Sequence, residues 1–156
     1  MPEQPSAPTT ERMAQCACGQ LSVTVSGDPF IVVACNCAAC QRRTGAPFGI
    51  GAYFQGAQIV QISGQFRSFL RAAESGRSWR FDFCPDCGST VYWAMDKQGF
   101  KHGIGIAGGC FGDPAFPPPQ LITWNQNQAH WLEFPAAIPS MATQPERLEV
   151  PPHLRS

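Results

Sequence analysis

The chain has 156 residues, with eleven basic and eleven acidic side chains and a formal net charge of zero. That length suits one domain with a real core, and the lack of a basic excess argues against a nucleic-acid or anionic-membrane binder. No apolar run approaches the ~20 residues of a membrane span, and fifteen glycines with fifteen prolines predict a turn-rich protein.

The N-terminal MPEQPSAPTTERM shows no basic stretch followed by an apolar one, so it does not read as an export signal. Residues 1–12 are expected to be a flexible lead-in, and the protein to be soluble and cytoplasmic. LSVTV (21–25) then puts Leu21, Val23 and Val25 on one face and Ser22 and Thr24 on the other. IVVA (31–34), GIGAYF (49–54) and QIVQIS (58–63) follow as strand candidates, several bounded by glycine. WRFDF (79–83) alternates again, with Trp79, Phe81 and Phe83 against Arg80 and Asp82. STVYWA (89–94) and HGIGIAG (102–108) extend the series, and period-two alternation of this kind marks half-buried strands. The one helical candidate is a turn or two around AACQRR. Phe111 opens a loop, FGDPAFPPPQ, whose consecutive prolines exclude a central strand. LITW and HWLEF are candidates for late strands, and a proline-rich tail, docked or loose, closes the chain. The prediction is a mainly β, mostly antiparallel architecture.

Eight cysteines punctuate these strands: Cys16, Cys18, Cys35, Cys37, Cys40, Cys84, Cys87 and Cys110. In a reducing compartment clustered cysteines are more often metal ligands than disulfides. Seven fall into the clusters CAC, CNCAAC and CPDC, each at a predicted strand end or turn. CPDCGS looks like a zinc knuckle, and CACG shares its trailing glycine. Two, three and two ligands divide into four plus three. Four thiolates close a structural site, whereas three leave a coordination position for water or substrate. Spacing leaves the partition open: Cys37 and Cys40 could join Cys84 and Cys87, leaving Cys35 to Cys16 and Cys18. A histidine or aspartate could equally complete a second structural site, while ferredoxin-type spacing is missing. Cys110, alone in GGCF, reads as small buried filler without a ligand role.

CxCG, then CxCxxCxxxxG, then FCxxCGS, in that order over about 75 residues, resembles the glutathione-dependent formaldehyde-activating enzyme family, also called the centromere-protein-V-like domain. The Asp-Pro and Phe-Pro-Pro-Pro loop and the region of Trp131 extend the likeness, which covers about residues 13 to 135. The resemblance implies an Mss4-like fold of coiled antiparallel β-sheets stapled by zinc, spanning 13–135 and followed by the tail, 136–156. It implies two Zn²⁺ per chain, a structural ion on Cys16, Cys18, Cys84 and Cys87 and an open, catalytic one on Cys35, Cys37 and Cys40. The implied activity is that of a carbon–sulfur lyase like S-(hydroxymethyl)glutathione synthase. Such an enzyme joins or cleaves a small thiol such as glutathione and formaldehyde or a similar carbonyl. The alternative is a non-enzymatic zinc module that recruits a protein or nucleic-acid partner, as the centromere relatives suggest; zero net charge weighs against the chromatin version.

Charge distribution adds an independent observation. Residues 31–81 hold Arg42, Arg43, Arg67, Arg71, Arg77 and Arg80 against the single acid Glu74, a local balance of +5. Arginine forks bind the carboxylates of glutathione-like thiols well. Arg42 and Arg43 directly follow the cysteine triple and are the expected substrate anchors. Arg67 to Arg80 serve equally well as solvated charges that protect edge strands from aggregation.

Overall fold

A computed structural model describes residues 9–72 and 77–145. Its chain forms two sheets. In the smaller, β1 (Glu11–Gln15), β2 (Ser22–Ser26) and β5 (Ile59–Ser63) pair antiparallel in the order β1-β2-β5. The larger draws on β3 (Ile31–Cys35), β4 (Gly49–Phe54), β6 (Arg67–Ala72), β7 (Ser78–Phe83), β8 (Thr90–Met95), β9 (Ile104–Ala107) and β10 (Leu121–Thr123). Their order is β10-β3-β4-β9-β8-β7-β6, and every pair is antiparallel except β10 with β3. The protein is mainly β. Its one α-helix among the described residues is α1 (Ala38–Thr44).

Alternation decides which face each strand buries. Val32, Ala52, Ile106 and Tyr92 lie in one row across β3, β4, β9 and β8, with Phe54 opposite Ile104 in the next. They form one core with Ala14, Leu21, Val23 and Val25 of the smaller sheet side. Burying a side chain such as Phe54 or Leu21 is worth about 1.5–3 kcal/mol, so this face holds the two sheets together. Asp82 shares it, fully buried opposite Tyr92. Ser68 Oγ donates to its carboxylate at 2.6 Å, and Arg80 Nε and Nη2 donate at 3.1 and 2.9 Å, which compensates the buried charge.

The other face of the large sheet is built differently. Tyr53, Gly105, Trp93, Phe81 and Phe69 succeed one another across β4, β9, β8, β7 and β6. A Cβ at Gly105 would stand 2.2 Å from Trp93 Nε1, and one at Gly51 would stand 3.0 Å from Trp93 Cζ2. The indole therefore lies flat over two strands, and a side chain at Gly105 would displace it. Glycine here is a matter of space, not of backbone angle.

Some expectations shift. β1 starts at Glu11, so the lead-in expected over 1–12 ends earlier, and residues 1–8 lie outside the described residues. β1 escapes the alternation rule because Ala14 is its only buried side chain. β6 escapes it because it is the sheet edge, with Phe69 and Leu70 exposed on opposite faces. HWLEF forms no strand: Leu132 N donates to Ala129 O in a turn. The folded chain also runs past 135, since Ile122 N donates to Pro139 O and Met141 N to Ile122 O. This part of the expected tail is docked on β10, and 146–156 lie outside the described residues.

Candidate metal centres

Two backbone knuckles of the same design bring four cysteines together. In the β1–β2 turn, Gly19 N donates to Cys16 O at 3.0 Å. In the β7–β8 turn, Gly88 N donates to Cys84 O at 2.9 Å. Both glycines take left-handed φ, 83° and 78°, which explains the trailing glycine of each motif. Ser89 Oγ accepts from Ala17 N at 3.2 Å and so joins the knuckles.

The sulfurs of Cys16, Cys18, Cys84 and Cys87 all lie within 4.8 Å of one another. Cys16 and Cys18 are 3.6 Å apart, Cys18 and Cys84 3.7 Å. Tetrahedral geometry with sulfur–zinc bonds of ~2.3 Å requires sulfurs ~3.8 Å apart, so this donor set fits such an ion. Amide donors surround it: Leu21 N reaches Cys16 Sγ at 3.3 Å, and Gln20 Nε2 reaches Cys84 Sγ at 3.0 Å. Cys16 and Cys84 are buried, Cys18 and Cys87 exposed.

The triple converges for another reason. Cys35 ends β3, Cys37 is the N-cap of α1, and Cys40 lies three residues on, its amide donating to Cys37 Sγ at 3.3 Å. A strand end followed at once by a capped helix folds the three sulfurs to within 4.8 Å of one another. Gly45 closes the helix at φ 65°, with its N–H on Gln41 O. Asn36, fully buried between two of the cysteines, anchors the turn to β10 through its backbone and side-chain amides, both on Thr123 O at 3.1 Å. Hydrogen bonds from Cys35 and then Cys40 pull Cys37 down to about 2, with Arg71 helping as a nearby cation. Hydrogen bonds with Cys35 and then Cys37, together with burial, push Cys40 up. The group thus favours a single thiolate, on Cys37, with Cys35 pushed up as well; a metal would require all three as thiolates.

The fold therefore groups seven cysteines as four and three, and the pairing of Cys37 and Cys40 with Cys84 and Cys87 does not occur. Both groups could hold metal ions. Cys110 belongs to neither; it is half-buried against the core, and burial pushes its thiol up to about 11.

Of the two adjacent arginines only one faces this region. Arg43 stacks on Trp93 at 4.7 Å and on Phe81 at 5.8 Å. Its Nε is buried and, among the described residues, has no hydrogen-bond partner. Arg42 is exposed. Arg71, for which the sequence left carboxylate binding and a solvated edge charge equally open, also stacks on Phe81, at 4.8 Å. Its pairing across β6 and β7 was the missing signal. Arg43, Thr44 and Gly49 line a cleft of about 460 Å³. Cys87, Ser89 and Cys110 line it too, so the cleft joins Arg43 to one cysteine of the four-sulfur group.

A family model described as glutathione-dependent formaldehyde-activating enzyme matches residues 11–127, from β1 through the turn after β10. No curated protein matches the chain.

Proposed function

The chain belongs to the glutathione-dependent formaldehyde-activating enzyme family, and from that membership we propose that it is a zinc-dependent carbon–sulfur lyase. It joins or cleaves a small thiol of the glutathione type and formaldehyde or a similar carbonyl. Cys16, Cys18, Cys84 and Cys87 hold a structural zinc; Cys35, Cys37 and Cys40 hold a second one with a position open to substrate. The observation that carries this reading is the three-sulfur group opening on the sheet face where two arginines stack over aromatic rings.

When bound at the triple, zinc supplies a position for a soft ligand and favours the deprotonated form of a substrate thiol. The chain supplies the rest. Trp93 and Phe81 fix the plane of the Arg43 guanidinium by stacking and leave its edge for a planar anion. A buried N–H without a partner favours a ligand that brings an acceptor, and glutathione brings carboxylates. The cleft beside Arg43 gives the arms of a tripeptide-sized thiol somewhere to lie.

Metal-replete protein is expected to carry one zinc for each of the two cysteine groups and to release heat on titration with glutathione. A single zinc per chain, or no binding, would reject the reading.

A sharper result is expected from the arginines. Arg43→Ala should weaken glutathione binding about tenfold to a hundredfold, the scale of one charge-assisted hydrogen bond, and leave an uncharged thiol such as 2-mercaptoethanol nearly unaffected. Arg42→Ala should weaken glutathione less than Arg43→Ala. Equal losses for both thiols would mean that Arg43 only shapes the helix.

A further inference from the structure

Tyr53 lies on the same sheet face as the triple. Its position in β4 is four residues beyond Gly49, the partner of Cys35 in the β3–β4 register. The ring does not point away: a Cβ built on Gly51 would stand 3.0 Å from Tyr53 Cε2 and 3.2 Å from its Oη. The phenol thus reaches back along β4 toward Gly49. A Cβ on Gly49 would stand 2.8 Å from Arg43 Nη2 and 3.4 Å from Cys40 Cβ. Two glycines on one strand face lie ~7 Å apart. The hydroxyl, the guanidinium and the cysteine triple therefore share one small patch floored by glycine.

Two contacts orient the phenol. Its ring meets Trp93 edge to face, with centroids 6.2 Å apart at 79°. The Phe30 ring meets it too, tilted at 43° with centroids 6.4 Å apart, and Trp93 acts against burial to lower its proton affinity. An indole N–H can only donate, so toward Trp93 the phenol oxygen is the accepting partner and its own O–H is left for another acceptor. Burial, before any other cause, pushes Tyr53 up to about 12, so it keeps its proton at neutral pH.

We propose that the Tyr53 hydroxyl donates a hydrogen bond to the oxygen that becomes negatively charged as the carbon–sulfur bond forms at the open site. This rests on the lyase reading above. In the forward direction the thiolate sulfur uses an electron pair to bond the carbonyl carbon, and the carbon–oxygen π pair moves onto oxygen. Tyr53 stabilises that alkoxide, which then takes a proton from water and leaves hydroxide. Cleavage runs the same steps in reverse. No oxidant or reductant is needed, and Tyr53 ends each turnover as it began.

The test is Tyr53→Phe, which keeps the ring contacts with Phe30 and Trp93 and removes only the hydroxyl. Zinc content and glutathione affinity should match those of the unaltered protein. The rate of hydroxymethyl adduct formation should fall about a hundredfold, as when one oxyanion donor is lost. A binding readout free of turnover compares 2-mercaptoethanol with ethanethiol, since the first carries a hydroxyl near its sulfur. The unaltered protein should bind 2-mercaptoethanol several-fold more tightly, and Tyr53→Phe should bind the two equally. If the unaltered protein already binds both equally, or the variant keeps the preference, the role of Tyr53 is overturned and the lyase reading stands. If the unaltered protein binds neither thiol, the lyase reading falls and this proposal with it.

Discussion

Replacing Cys84 with serine is expected to abolish the folded state. Cys84 and Cys87 sit in the turn between two strands of the large sheet, Cys16 and Cys18 in a turn of the small one. An ion held by all four clasps the two sheets across more than sixty residues of chain. A structural zinc contributes ~10 kcal/mol or more to folding, against a total stability of ~5–15 kcal/mol for a domain. The apolar core does not offset a loss of that size. Cys84 is also the fully buried member of its knuckle, so serine leaves a hydroxyl in an apolar setting besides losing a ligand. Cys110→Ala is the control, because Cys110 is half-buried yet outside both sulfur groups; it should cost about 1 kcal/mol. Thermal melts followed by circular dichroism, with zinc analysis, compare the two. An unchanged midpoint for Cys84→Ser would refute the structural role.

Cys37→Ser should behave in the opposite way, keeping the fold and losing the chemistry. Cys37 is both a ligand candidate and the N-cap of α1, its sulfur accepting from Cys40 N. Serine is among the best N-caps, so its hydroxyl preserves the helix start while removing a thiolate. The remaining two sulfurs bind an ion weakly. Zinc content should drop to one per chain, the heat of glutathione binding should vanish, and catalysis should fall to background. The melting midpoint should move by a few degrees at most, since the four-cysteine group still ties the sheets. Retention of two zinc ions, or collapse of the fold, would overturn the division of labour between the groups.

Much of the architecture can be read from alternation. β4 coincides with the expected 49–54, and β2, β3, β5, β7, β8 and β9 lie within two residues of their expected limits. The two missed strands share a cause. In β1 and β6 only one side chain or none is buried, and without a buried face there is no hydrophobic period to find. The expected strand in HWLEF fails from the other direction: it contains apolar residues, but the chain there turns, with Phe134 against Phe48 in the segment between α1 and β4.

The site divides along the same line. Sequence alone determined the seven cysteines, the glycines that let both knuckles turn and the helix that follows Cys37, because each depends on residues a few positions apart. Tertiary structure decided which sulfurs meet, since Cys18 and Cys84 come to 3.7 Å from 66 residues apart. It also decided which arginines face the triple. Arg43 and Arg71 are drawn in by stacking on Trp93 and Phe81, and Arg42, one residue from Arg43, is left in solvent. The same holds for Tyr53, whose hydroxyl lies over Gly51 on the face of the triple only because Gly51 and Gly105 leave room for two rings to lie on the sheet. Contacts of that kind depend on strand register and side-chain volume across five strands, and no local pattern encodes them.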